Sequence, residues 1–217
     1  MGILYTHTHS LDKKVRQMAD SRDWTGNKAT AWATLGAHNM SSHERDKHDY
    51  YATDPRAAVL LLQHYPQLDN IYECAAGEAH LSHVFDMYGK LGKASDLVVR
   101  SVPMEQIDFL QYNEKWHNGD IVTNPPYKYA RQFVEHALDL VDEGRYVCMF
   151  LRLAFLESQG RYHMFKKIPP KEVLVSAGRI NCGMNGEFNR KSNSAVPFAW
   201  FVWQKGFTGK PTLDWIL

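Results

Sequence analysis

Residues 124–127 read Asn-Pro-Pro-Tyr and follow the apolar run Ile121-Val122-Thr123. Neither proline suits a helix or strand interior, because each fixes φ and lacks a backbone N–H. The tetrapeptide is therefore a stiff turn at the carboxyl end of a strand. It offers the side-chain carbonyl of Asn124 and the backbone carbonyl of Pro125, with no prolyl N–H beside them. Aimed at the N–H bonds of a flat amine, two such acceptors stabilise positive charge growing on its nitrogen.

Other strand ends carry groups of a different kind. Glu73-Cys74-Ala75-Ala76-Gly77 follows one apolar run, and Asp96 stands 19 residues beyond Gly77. That is the interval at which a carboxylate accepts hydrogen bonds from ribose hydroxyls in a nucleotide-binding βαβ unit. Gly77 lets the backbone approach a ligand closely. Asp108 is placed to accept from an adenine amino group, with Phe109 or Leu97 covering the ring.

The elements that must position these residues alternate. Strands are expected over 70–76, 93–99, 106–110, 119–124, 145–155, 171–177 and 195–206. Helices are expected over 55–65, 78–90, 128–144 and 157–167, with Phe133, Val134, Ala137, Leu138 and Val141 as the apolar stripe of the third. Thr53 or Asp54 is the expected cap of the first, with Pro55 in its opening turn. Such alternation implies a mainly parallel sheet covered on both faces, with ligands beyond the strands' carboxyl ends. Residues 1–49 read as a polar extension, mostly loop, ahead of a single domain over 50–217.

Here the sequence resembles a family. NPPY at 124–127 is similar to the catalytic motif of class I S-adenosylmethionine-dependent amino-methyltransferases, above all the adenine-N6 type. "ECAAGEAHLS" (73–82) resembles their cofactor loop, and "YYATDP" (50–55) the segment over the methionine part of the cofactor. The likeness is greatest to small DNA methyltransferases of phage and prophage, with which "TLGAHNMSSHERDKHDYYATDP" (34–55) and "RINCGMNGEF" (179–188) are also shared. The resemblance implies a Rossmann-like sheet of seven strands, the last antiparallel, and helices on both faces. It implies S-adenosylmethionine as cofactor, held by Tyr51, Thr53, Asp54, Pro55, Glu73, Ala75, Gly77, Asp96, Leu97, Asp108 and Phe109. Asn124, Pro125, Pro126 and Tyr127 become the catalytic loop, the tyrosine stacking on an adenine turned out of DNA.

Two departures from the family pattern stand out. The cofactor loop usually has a second glycine two residues after Gly77, where this chain has Ala79. A long target-recognition region is also expected of restriction-type enzymes, and only 11 residues, "FTGKPTLDWIL", follow the 195–206 strand. A second copy or a partner subunit is then the expected source of further DNA contacts.

Charge points the same way. The net +1 of the 217 residues divides into −4 over 1–127 and +5 over 128–217. Lys128 and Arg131 open the helix after NPPY, and Arg179, Phe188, Arg190 and Lys191 lie in a Gly/Asn-rich segment. All six are candidate nucleic-acid contacts, though solvated helix residues and an exposed hairpin connection explain them equally. His38, His43 and His48 recur at five-residue intervals, which fit neither a helical His pair nor a zinc finger, so no metal is expected. Three cysteines without paired spacing and no long apolar run lead us to expect a reduced, cytoplasmic protein that does not enter membranes. Two other readings stay open: methylation of RNA adenine or protein glutamine, and a non-catalytic phage-derived binding module.

Overall fold

A computed structural model describes residues 52–178, 180, 182–183 and 196–217. In chain order these form β1 (Ala52–Thr53), α1 (Arg56–His64), β2 (Ile71–Glu73), α2 (His80–Met87), β3 (Leu91–Asp96) and β4 (Glu105–Gln106). Then come β5 (Ile121–Thr123), α3 (Ala130–Leu140), β6 (Tyr146–Arg152), α4 (Gln159–Lys167), β7 (Glu172–Ser176), β8 (Cys182–Gly183), β9 (Phe198–Gln204) and β10 (Thr212–Ile216).

The main sheet has the order β10-β7-β9-β6-β5-β2-β3-β4. β9 runs antiparallel to β6 and β7, and every other pairing in this sheet is parallel. β3 and β4 extend from one side of β2 while β5 and β6 extend from the other, so strand order reverses between β2 and β5. In open α/β sheets a crevice opens at that reversal, outside the strands' carboxyl ends.

Side-chain alternation builds two cores from one sheet. On β6, Cys148 and Phe150 pack with Ala57, Leu61, Leu81 and Phe85 of α1 and α2. Val147, Met149 and Leu151 point the other way, onto Phe133, Val134 and Ala137 of α3. Burial on both faces explains why β6 and β9 read as near-continuous apolar runs. Within β9, Trp200 donates its indole N–H to the Ala57 carbonyl (2.9 Å) and Trp203 to that of Ile168 (3.1 Å). These bonds tie α1 and the end of α4 to opposite faces of the strand. At the other end of the sheet, the buried Asp120 accepts from the backbone N–H groups of Asp69 (2.9 Å) and Tyr146 (2.8 Å). Burial raises its pKa, and its two bonds fix the start of β5 against both flanking strands.

Several expected boundaries shift. The sheet has eight strands rather than seven, because Thr212–Ile216 pairs with Glu172–Ser176 as a parallel edge strand. Leu213 and Trp215 of β10 are exposed and only Ile216 is buried. An edge strand lacking a buried apolar face gives little pattern to read. The helix expected over 128–144 forms only as α3: Tyr127–Tyr129 is a 3₁₀ turn, and Val141 leaves the helix to bridge Trp116. Leu140 is buried in its stripe, whereas Leu138 is only half-buried. Over 106–110, only Glu105–Gln106 pairs as a strand. The Asp108 carboxylate then accepts from the Leu110 N–H (3.1 Å) and opens a 3₁₀ turn.

Candidate active site

At the carboxyl ends of β2, β3 and β5 lies a cavity of about 910 Å³. Its wall includes Thr53, Glu73, Ala75, Asp96, Leu97, Asp108, Phe109, Lys128 and the whole of Asn124–Tyr127. Residues far apart in sequence thus meet in one place, as the strand-end reading expects.

Glu73 ends β2 and is buried, with the Ser82 hydroxyl of α2 donating to its carboxylate oxygen. Burial pushes its pKa up to about 8, so near neutral pH this carboxyl is largely protonated. The chain then turns through two left-handed residues, Gly77 (φ 59°) and Ala79 (φ 62°), into α2. The Gly77 N–H donates to Oδ2 of Asp96 (2.8 Å), joining the first strand end to the second. The other oxygen of Asp96 accepts from the Val98 N–H (2.9 Å) and the Arg100 guanidinium (3.4 Å).

The departure at Ala79 now has a physical meaning. A Cβ in the left-handed region costs about 1–2 kcal/mol, which glycine avoids. Glycine loses more chain entropy on folding, about 0.5–1 kcal/mol. Ala79→Gly is therefore expected to stabilise the fold by up to about 1 kcal/mol, raising Tm by about 2–4 °C at this size. A calorimetric melt checks this; a lower Tm would mean that packing of the alanine methyl outweighs its backbone strain.

At the end of β5, the Asn124 side-chain Nδ2 donates to the Thr53 hydroxyl oxygen (2.7 Å). Thr53 belongs to β1, which pairs with β8 outside the main sheet, Thr53 opposite Cys182. This bond fixes which way the amide faces, and its oxygen is the atom able to accept from an N–H. Tyr127 has the Phe198 ring 6.0 Å away and the Arg152 guanidinium 4.6 Å from its centroid.

Other expected site residues lie elsewhere. Asp54 accepts from the backbone N–H of Arg56 (3.0 Å) and from its guanidinium, and so caps α1. Pro55 immediately precedes that helix, and neither residue lines the cavity. A carboxylate two positions before Arg56 is drawn to the helix start and to the guanidinium rather than toward a ligand. Gly77 shapes the wall through Asp96 without lining it. Phe109 is buried against Phe133 and Tyr72, so it stiffens the wall, and the exposed Leu97 is the residue with free apolar surface. Arg131 pairs with Glu135 (3.0 Å) and with the Gly160 carbonyl (3.4 Å), whereas Lys128 sits over the Tyr129 ring. Tyr51, Arg179, Phe188, Arg190, Lys191 and the histidines at 38, 43 and 48 lie outside the described residues.

Among the wall residues outside the expected set are the basic side chains His80, Arg100 and Arg152. Arg152 was findable: it is the carboxyl end of β6, and the rule that found Glu73, Asp96 and Asn124 applies equally there. Arg100 reaches back four residues to Asp96, a contact that a strand-end rule does not anticipate.

No family model and no curated protein matches the chain. Solved structures do. A protein of Listeria monocytogenes assigned as a class I S-adenosylmethionine-dependent methyltransferase superposes with TM-score 0.51 at 13% identity, over 86% of this chain and 70% of its own. An assigned RNA methyltransferase of Pyrococcus horikoshii gives TM-score 0.51 at 13% identity, over 83% and 98%. The type IIG restriction endonuclease BpuSI gives TM-score 0.52 at 16% identity, over 76% of this chain and 27% of that much longer one. At such identities the likeness concerns architecture. The chain has the Rossmann-like fold of the class I methyltransferases.

Proposed function

We propose that this protein transfers a methyl group from S-adenosylmethionine to the exocyclic amino group of adenine in DNA. The observation that carries the proposal is the Asn124 amide. It stands at the mouth of β5, held by Thr53, in the same cavity as the Asp96 carboxylate and the exposed Leu97.

The cavity fits the cofactor on three counts. Its volume of about 910 Å³ is ample for a nucleoside together with a target base. Asp96 is held by the backbone N–H groups of Gly77 and Val98 at a strand end, where a ribose needs an acceptor. Leu97 and Ile107 offer an apolar wall for a purine. When bound, the cofactor supplies an electrophilic methyl on a sulfonium. The protein's part is then positioning and electrostatics. Asn124 and Pro125 direct carbonyl oxygens at the two N–H bonds of the amine. Its nitrogen becomes pyramidal, and charge growing on it is stabilised as the methyl arrives. Pro125 and Pro126 keep donors away from those oxygens, and Tyr127 takes the base. No ionised base is needed at the outset, since the amine proton is lost only after the nitrogen has become cationic.

The test supplies the purified protein with methyl-labelled cofactor and separate pools of DNA, RNA and protein. Label is expected in DNA, as N6-methyladenine. Label confined to RNA or protein would replace the acceptor and keep the reaction. Failure of cofactor and its demethylated product to bind in calorimetry would leave a binding module instead.

A further inference from the structure

Arg152 ends β6 and stands opposite Phe198 in the β6–β9 ladder, so both side chains leave the same face of the sheet. Both reach Tyr127, Phe198 at 6.0 Å and the guanidinium at 4.6 Å from the ring centroid. Of the other cations of the cavity wall, Arg100 bonds Asp96 and the Val98 carbonyl, whereas Lys128, like Arg152, lies over a ring, that of Tyr129. Arg152 is exposed, and its side chain has neither an ion pair nor a hydrogen bond among the described residues.

A guanidinium at that distance fills the space a stacked base requires, since optimal non-bonded carbon contacts lie at about 3.5–4.0 Å. Base and guanidinium therefore compete for this surface of Tyr127. We infer that Arg152 is a placeholder on Tyr127 that yields to the incoming adenine and then binds the phosphate of the same nucleotide. The inference rests on the DNA methyltransferase reading above. A guanidinium suits both positions: it is planar and weakly hydrated, so it stacks on a ring, and its fork of donors matches a phosphate. An exposed cation–π contact is weak enough to give way. A nucleotide rotated about its backbone leaves its phosphate at the cavity rim, within reach of the displaced side chain.

The experiment compares wild type, Arg152→Ala and Arg152→Lys. It measures cofactor affinity by calorimetry, methylation kinetics on unmethylated duplex DNA of mixed sequence, and the salt dependence of DNA binding. Arg152→Ala is expected to raise KM for DNA about tenfold, with kcat and cofactor affinity within about twofold of wild type. The slope of log affinity against log salt should become shallower by about 0.9, the loss of one phosphate contact. Arg152→Lys keeps the charge and should keep the wild-type slope. An alanine variant with wild-type KM and slope would overturn the inference. So would one that loses kcat or cofactor affinity at an unchanged slope, because Arg152 would then merely support the turn. If wild type does not methylate DNA, the parent reading falls and takes this one with it. That result is distinct from failure at Arg152 alone, which leaves wild-type turnover intact.

Discussion

Asn124→Ala is expected to lower kcat by about 10²–10³-fold while cofactor affinity stays within about twofold of wild type. On the proposed reading the side-chain oxygen meets a nitrogen that is flat in the ground state and charged in the transition state, so its stabilisation would appear in kcat. The cofactor is assigned to other strand ends, those of Glu73 and Asp96, which this substitution does not touch. A thermal melt of the variant separates this effect from any loss of fold caused by removing the side chain and its bond to the Thr53 hydroxyl. Single-turnover methylation with saturating cofactor and DNA measures the effect directly. A variant retaining more than a third of wild-type turnover would show that the Asn124 carbonyl does not face the reacting amine.

Much of this arrangement was legible beforehand, and the reason is geometric. In a parallel sheet every strand points its carboxyl end the same way, so residues at strand ends gather even when far apart in sequence. Glu73, Asp96 and Asn124 needed only their strands to be found; β2 and β5 are buried on both faces and so among the plainer patterns, whereas β3 is mostly half-buried and ends at Asp96 rather than at the expected 99. Edges and connections were harder. β10 exposes Leu213 and Trp215 and is held to β7 by its backbone ladder, which leaves no periodic trace. Thr53 could be assigned to the cofactor from its motif, yet its bond to Asn124 spans 71 residues and depends on β1, which pairs outside the main sheet, coming up to the end of β5. Asp54 shows the opposite case: a carboxylate assigned to a ligand spends itself on Arg56 two residues away. Local partners outcompete distant ones whenever the backbone brings them near first. The left-handed turn at Ala79 was also hidden, because alanine gives no sign of the positive φ that a glycine there would have suggested.

Asp96→Asn is expected to weaken cofactor binding by about ten- to a hundredfold with little change in kcat at saturation. The side-chain carbonyl of asparagine still accepts one backbone N–H, but its amide group cannot accept, so one oxygen and the charge are lost. Each charge-assisted hydrogen bond to a ribose hydroxyl is worth about 1.5–3 kcal/mol when formed, which sets the scale of the loss. Alanine would be the poorer test. It would strip acceptors from both Gly77 and Val98, and the loop that shapes the cavity would change with the site. Glu73 cannot replace the lost negative charge near neutral pH, since burial pushes its pKa up to about 8. Raising the pH through that value ionises a buried carboxyl. The folded state binds this proton more tightly than the unfolded chain, so stability falls as pH climbs from the ordinary glutamate range toward 8. Affinity comparisons between Asp96→Asn and wild type therefore belong well below pH 7, because removing the Asp96 charge also lowers the Glu73 pKa that burial chiefly raises. Titration calorimetry with S-adenosylmethionine at that pH would give the difference, and equal affinities would place the ribose on some other strand end.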